Sequence, residues 1–141
     1  MKHVVKQRMV VVGAGVVCLL AAGLWGARRL EAQQPPGFKR VELQRHDSAS
    51  PGREIILARG EFNSGAAAPK HTHPGEEVAY ILEGELALEI EGKPPMVLKP
   101  GDVFFVPAGT IHSAKNTGKI TTKVLSTYVV EKGKPLATPV K

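Results

Sequence analysis

The sequence has little cysteine and few aromatic residues. Among its 141 residues there are one cysteine, Cys18, one Trp, two Tyr and four Phe. A single cysteine excludes an intrachain disulfide. So few aromatic side chains argue against a pocket for a large flat ligand such as a flavonoid. After residue 32 there is also no run of basic residues, and binding to nucleic acid is therefore not expected.

The positive charge of the chain is concentrated near its N terminus. The net charge is +6 at pH 7, yet residues 1–32 contain five Lys or Arg and one Glu, a balance of +4. Residues 33–141 contain fourteen basic and twelve acidic residues, a balance of only +2. The length suits one domain with a core of its own, but not two. The two parts of the chain are therefore interpreted separately.

Residues 1–32 have the composition of a signal peptide or a membrane anchor. Lys2, Lys6 and Arg8 precede a run of nineteen uncharged residues, 9–27, which Arg28 and Arg29 close. The run is just long enough to span a bilayer, and the cleavage points after it are imperfect, so cleavage and retention both stay open. Either outcome places the next domain in a periplasm, soluble or anchored to the inner membrane. Only this segment is expected to touch a membrane.

The rest of the chain has the pattern of an all-β domain. Residues 33–37 (QQPPG) predict an extended linker. No helical period follows, and short alternating or β-branched runs lie between Gly/Pro turns, which favours an antiparallel sandwich or barrel. The predicted strands are residues 38–44, 53–62, 77–82, 85–90, 96–98, 103–106 and 119–130, with 77–82 and 85–90 forming a hairpin. Residues 131–141 are expected to fray or to lie over the surface.

Three histidines and one glutamate have the spacing of a metal site. His71 and His73 are two residues apart, so on a strand they point the same way with Cα atoms about 7 Å apart. A turn after His73 can bring Glu77 to the same point. His112 follows a second Gly/Pro turn and supplies a third nitrogen. These four residues predict a site for a divalent metal ion.

The spacing around these residues resembles the two motifs of the cupin superfamily. The first stretch has Gly65, five residues, His71-x-His73, three residues, Glu77, six residues and Gly84. After a gap of sixteen residues comes the second stretch, with Gly101, five residues, Pro107-x-Gly109, two residues, His112, three residues and Asn116. The resemblance covers about residues 38–130.

A small single-domain cupin is what this resemblance implies. Its fold would be one jelly-roll β-barrel over residues 38–130, with a metal ion held by His71, His73, Glu77 and His112. Small cupins commonly pair through their sheets, so a homodimer is expected, with Tyr80 or the first strand at the contact. A monomer is the alternative.

The charge of such a site predicts an anionic ligand. Three neutral imidazoles and one carboxylate leave a net +1 on a 2+ ion inside a largely apolar barrel, and a small anionic molecule with oxygen donors would relieve it. Iron, manganese, nickel, copper or cobalt with six ligands would keep two positions open, whereas zinc held tetrahedrally by all four residues would be structural. The identity of the metal stays open.

Two functions fit this site. The first is an enzyme, a metal-dependent oxidoreductase of the dioxygenase kind or another metal-assisted catalyst for a small oxygen-rich acid. The second is a non-catalytic metallocupin that binds a small ligand or the metal itself at the cell envelope. No catalytic residue apart from the metal ligands is identified. Thr122, Ser126 and Tyr128 share the inward parity of the last strand and either edge the pocket or pack in the core.

Overall fold

The structure, a computed structural model, describes residues 34–141 and contains ten strands in that range. They are β1 (Phe38–Asp47), β2 (Arg53–Phe62), β3 (Ala67–Thr72), β4 (Gly75–Glu83), β5 (Leu86–Ile90), β6 (Met96–Leu98), β7 (Val103–Val106), β8 (His112–Asn116), β9 (Thr122–Glu131) and β10 (Thr138–Pro139). The predicted signal or anchor segment lies outside the described residues. No helix in the described range could cross a membrane.

The strands form two five-stranded antiparallel sheets. One has the order β1-β2-β9-β4-β7 and the other β10-β3-β8-β5-β6. Burial alternates along β2 and β9, because successive side chains of a strand face opposite sides of its sheet. The main core contains Ile81 and Phe104 of the first sheet together with Leu86 and Leu88 of the second. The sheets therefore pack face to face, which confirms the all-β expectation.

The predicted hairpin between residues 77–82 and 85–90 is wrong. β4 pairs with β9 and β7, whereas β5 pairs with β6 and β8 in the other sheet. The chain changes sheets at Gly84, whose φ of 78° suits glycine and whose Cα lies so close to Thr122 that a Cβ would collide with it. The Thr122 hydroxyl also accepts a hydrogen bond from Glu85 N (3.0 Å) and donates one to Glu85 O (2.8 Å). These bonds hold the crossing in place of a hairpin turn.

The C-terminal residues pack on the barrel rather than fray. Leu136 is buried in a second apolar cluster with Ile56, Tyr128 and Val130. Beyond it, β10 pairs with β3, and Val140 N donates to Lys70 O at 2.9 Å. The free edge of β3 carries backbone groups that need partners, and the tail supplies them.

Candidate metal centre

The fold brings the three histidines together from two adjacent strands. His71 lies on β3 directly opposite His112 on β8, and His73 follows immediately after β3. The ring centroids are 4.2 Å apart for His71 and His112, 4.8 Å for His71 and His73, and 4.9 Å for His73 and His112. Their ligand atoms lie within 4.8 Å of one another and all three residues are buried. The three histidines could therefore hold a metal ion.

A bulge in β3 helps to aim His71. The register between β3 and β8 shifts between Ala68 and His71, where β3 has one residue more than its partner. Bulges re-aim side chains, and proline is tolerated there because it has no N–H to give to the ladder. Pro69 lies in this bulge, and its carbonyl accepts a hydrogen bond from His71 Nδ1 at 2.7 Å.

Each imidazole is oriented by a backbone carbonyl. His112 Nδ1 donates to Thr110 O at 3.0 Å, and His73 Nδ1 donates to Leu136 O at 2.5 Å. Because a carbonyl oxygen can only accept, the proton of all three neutral rings stands on Nδ1. The lone pairs of the three Nε2 atoms are then available to an ion, as in metal sites whose ligating histidines are fixed by carbonyl partners.

Glu77 on β4 lies beside the three histidines, on the opposite sheet. Its Oε2 atom is 3.2 Å from His73 Nε2 and 3.5 Å from His112 Nε2. In the described part of the chain His73 Nε2 has no hydrogen-bond partner, although it is buried. Two lone-pair acceptors face each other at these distances, and a cation between them would satisfy both. The donor set therefore fits a divalent metal ion.

The protonation states favour the same chemistry. Burial and the neighbouring His112 lower the pKa of His71 to about 4, so this ring is neutral near pH 7. Burial alone would raise the pKa of Glu77, but in the metal-free site hydrogen bonds from His112 and His73, made when their Nε2 atoms carry protons, and from Ser126 hold it well below its usual range. The Glu77 carboxylate is thus ionised and the His71 ring neutral near pH 7, which are the forms that bind metals.

A cavity of about 30 Å³ adjoins the cluster inside the barrel. His71, Glu77 and His112 form its polar side together with Ser126 and Tyr128 of β9. The other lining residues are Phe38, Arg40, Gly60, Phe62, Ala68, Leu86, Leu88, Phe104, Ala114 and Val124. Thr122, the third candidate from β9, is instead tied to Glu85 at the crossing between the sheets.

Two residues at this site escaped the sequence interpretation. Leu136 supplies the carbonyl that orients His73, and no local pattern links positions so far apart in the chain. Arg40 lines the cavity from β1, and the only signal for it is its position two residues after the buried Phe38.

Comparison with known proteins identifies the family. Residues 58–128 match the family model of the cupin domain. Germin-like protein subfamily 2 member 2 of Arabidopsis thaliana is 39% identical over 79 residues, which cover 52% of this chain and 36% of that protein. Dimethylsulfoniopropionate lyase DddQ of Ruegeria pomeroyi is 44% identical over 52 residues, which cover 37% and 26%. The chain thus spans between a quarter and about a third of these relatives.

A solved structure agrees in fold. An oxalate oxidase in complex with the substrate analogue glycolate superposes with a TM-score of 0.60 at 25% identity, over 75% of this chain and 56% of that one. The family-model match covers half of the chain and spans β-strands of both sheets. This chain belongs to the cupin family.

Proposed function

We propose that this protein is an exported cupin that binds a divalent metal ion through His71, His73, Glu77 and His112 and acts on a small anionic, oxygen-rich substrate. The observation that carries the proposal is the convergence of three buried imidazoles, two of which, His73 and His112, have Nε2 atoms 3.2 and 3.5 Å from the Glu77 carboxylate. Without a cation that arrangement would set unpaired acceptors against each other in the interior, which is costly.

Some residues of the site would hold the metal ion, and others would shield it from bulk water. The metal, when bound, would supply Lewis-acid and, for iron or copper, redox chemistry. The carbonyl-fixed imidazoles set its position, and the Glu77 carboxylate removes one unit of its charge. The apolar wall of the cavity keeps bulk water away from the remaining charge, which strengthens attraction for an anion. The oxalate oxidase that shares the fold was crystallised with glycolate, a small hydroxy acid, and this supports the proposed substrate class.

Two properties of the pocket support the alternative, a metallocupin without catalysis. A cavity of about 30 Å³ has room for little more than an ion's water ligand or a few atoms. Burial also raises the pKa of the Tyr128 phenol, so this hydroxyl is a poor proton donor near neutral pH. A protein that only binds the metal or a very small ligand needs neither a larger cavity nor a proton donor.

Elemental analysis tests the metal site. Protein purified without added metal is expected to carry about one ion per chain, and His73→Ala or His112→Ala less than about a tenth of that. His46→Ala is the matched control, because His46 is an exposed histidine of β1 away from the cavity. Equal metal content in all four proteins would refute the proposed ligand set.

Oxygen uptake separates the two functions. Enzymatic oxidation predicts metal-dependent uptake with one or more small diketones, catechols or hydroxy acids, abolished in His112→Ala. Tightly held zinc, no uptake and a rise in melting temperature with one of these molecules would instead favour the binding protein.

Export and pairing are further parts of the proposal. Residues 1–32 would deliver the domain to the periplasm, and N-terminal sequencing distinguishes a chain that starts at Gln33 from an anchored chain that keeps Met1.

A homodimer would cover the outer face of β4 and β7, where Val78 pairs with Phe105 and Tyr80 with Val103. All four side chains are 44–67% exposed. Phe105→Glu should then yield monomers in light scattering, whereas Ile120→Glu, at a 63% exposed position outside the strands, should not.

A further inference from the structure

Arg40 points into the barrel beside the candidate metal centre. It follows the buried Phe38 by two residues on β1 and therefore faces the same side of the sheet. Its guanidinium carbon is 5.4 Å from the centroid of the Phe38 ring and 5.6 Å from that of Tyr128. The side chain lines the same cavity as His71, Glu77 and His112. Unlike these three residues it is only partly buried, so it connects the cavity with solvent.

The main chain of Arg40 is held on both of its edges. On one side it pairs with Gly60 of β2. On the other, the Gln34 side chain accepts a hydrogen bond from Arg40 N at 2.6 Å and donates one to Arg40 O at 3.3 Å. A Cβ on Gly60 would lie 3.3 Å from the Phe62 ring and 3.6 Å from the Phe38 ring, so glycine leaves room for these two rings. The backbone of Arg40 is therefore fixed on both edges, and its guanidinium lies against the rings of Phe38 and Tyr128.

Arg40 differs from the other arginines in residues 34–141 by its missing carboxylate partner. Arg45 pairs with Glu42 and Glu54, Arg53 with Glu76 and Arg59 with Glu61, at 2.6–2.8 Å. Within the described range the Arg40 guanidinium contacts only the faces of the Phe38 and Tyr128 rings. An arginine fork suits a planar carboxylate, and here that acceptor is not supplied by the described chain.

The charge of the cavity requires a counter-ion. A 2+ ion held by three neutral imidazoles and one carboxylate leaves +1, and Arg40 raises the total to +2. A cation placed beside a metal ion would weaken metal binding unless an anion lay between them.

We propose that Arg40 binds one carboxylate of a small dicarboxylate whose other oxygen atoms face the metal centre. The inference rests on the proposed metal centre and narrows its ligand from anions in general to dianions. It makes Arg40 a specificity-determining residue, because a ligand with a single negative charge leaves the cavity at +1. The small cavity and the partly exposed arginine together favour the shortest dicarboxylates.

Oxalate and its monoamide, oxamate, test this inference, because they have the same shape and differ by one charge. Titration calorimetry of the manganese-loaded protein should show oxalate bound at least about tenfold more tightly than oxamate. In Arg40→Gln the preference should shrink to about twofold, with Arg40→Lys in between, because lysine keeps the charge but loses the fork. Lys39→Gln is the matched control, since it removes the same charge from an exposed neighbour and should keep the wild-type preference. A full preference in Arg40→Gln would overturn the inference.

Failure of the metal centre can be told apart from failure of the Arg40 inference. Manganese content is measured before and after each titration in every variant, and Arg40→Gln should hold the ion at least as well as the wild type. Absence of the ion from all of them refutes the metal centre alone. The rise in melting temperature caused by oxalate relative to oxamate in metal-free protein then tests Arg40 by itself, and it should disappear in Arg40→Gln. If the rise is unchanged in Arg40→Gln, the dicarboxylate assignment is refuted.

Discussion

Removal of residues 136–141 should weaken metal binding although none of the proposed ligands is changed. The truncation takes away the Leu136 carbonyl that accepts from His73 Nδ1, the strand β10 and a leucine side chain that is 7% exposed. Losing a buried leucine costs about 2–5 kcal/mol, which is below most of the range of about 5–15 kcal/mol for the stability of a domain, so the barrel is expected to stay folded. Loss of the partner that orients a metal-ligating histidine weakens affinity about 10- to 100-fold.

Urea unfolding with and without metal measures both effects. At a free metal concentration about 100 times the dissociation constant of the intact chain, the ion stabilises the fold by about 2.7 kcal/mol. If the truncation weakens binding about 100-fold, this stabilisation falls to about 0.4 kcal/mol. Leu98→Ala is the control, because Leu98 is also 7% exposed but belongs to the other apolar cluster. It should lose similar stability and keep its metal affinity. A truncated protein that binds metal as tightly as the intact one would refute the role of the tail.

Three other changes have expected outcomes. Glu77→Gln keeps the shape of the side chain but removes its charge, and calorimetry should show metal affinity reduced by about 100-fold or more. In metal-free protein the free energy of unfolding should fall by about 3 kcal/mol as the pH drops from 6.5 to 4. The reason is that His71 takes up a proton near pH 6.5 in the unfolded chain but only near pH 4 in the folded one. Urea unfolding measures this fall in stability, and His71→Gln should lack the contribution of His71. Gly84→Ala should lower stability by more than about 3 kcal/mol, because its Cβ meets Thr122, whereas Gly92→Ala, with a φ of 77° and open space around it, should cost about 1 kcal/mol in thermal unfolding.

Local patterns sufficed where a feature depends on alternation or on short spacing. The strands 53–62, 96–98 and 103–106 have the predicted bounds, and His71 and His73 face the same side as their two-residue separation requires. The predicted hairpin failed because the turn at Gly84 looks the same in sequence whether the next strand pairs with β4 or crosses to the other sheet. That choice depends on Thr122, a distant residue that binds Glu85.

The unforeseen parts of the site share one physical cause. β8 was not predicted, because His112 to Asn116 has neither strong alternation nor many β-branched residues, and its strand form comes from pairing with β3 and β5. The carbonyl of Leu136 and the inward Arg40 likewise acquire their roles only when distant segments meet. A local sequence pattern predicts which face of a strand a side chain lies on, but not which distant residue it contacts there.

The carbonyl partners of the three imidazoles imply an order of assembly. His71 and His112 each bond to the residue two positions earlier, so a few neighbouring residues suffice to aim them. His73 depends on Leu136 and can be aimed only after the C-terminal segment has docked. An ion that meets the chain during folding would therefore find two nitrogens ready before the third. Coordination of the ion by all three histidines would then indicate that the C-terminal segment containing Leu136 has docked.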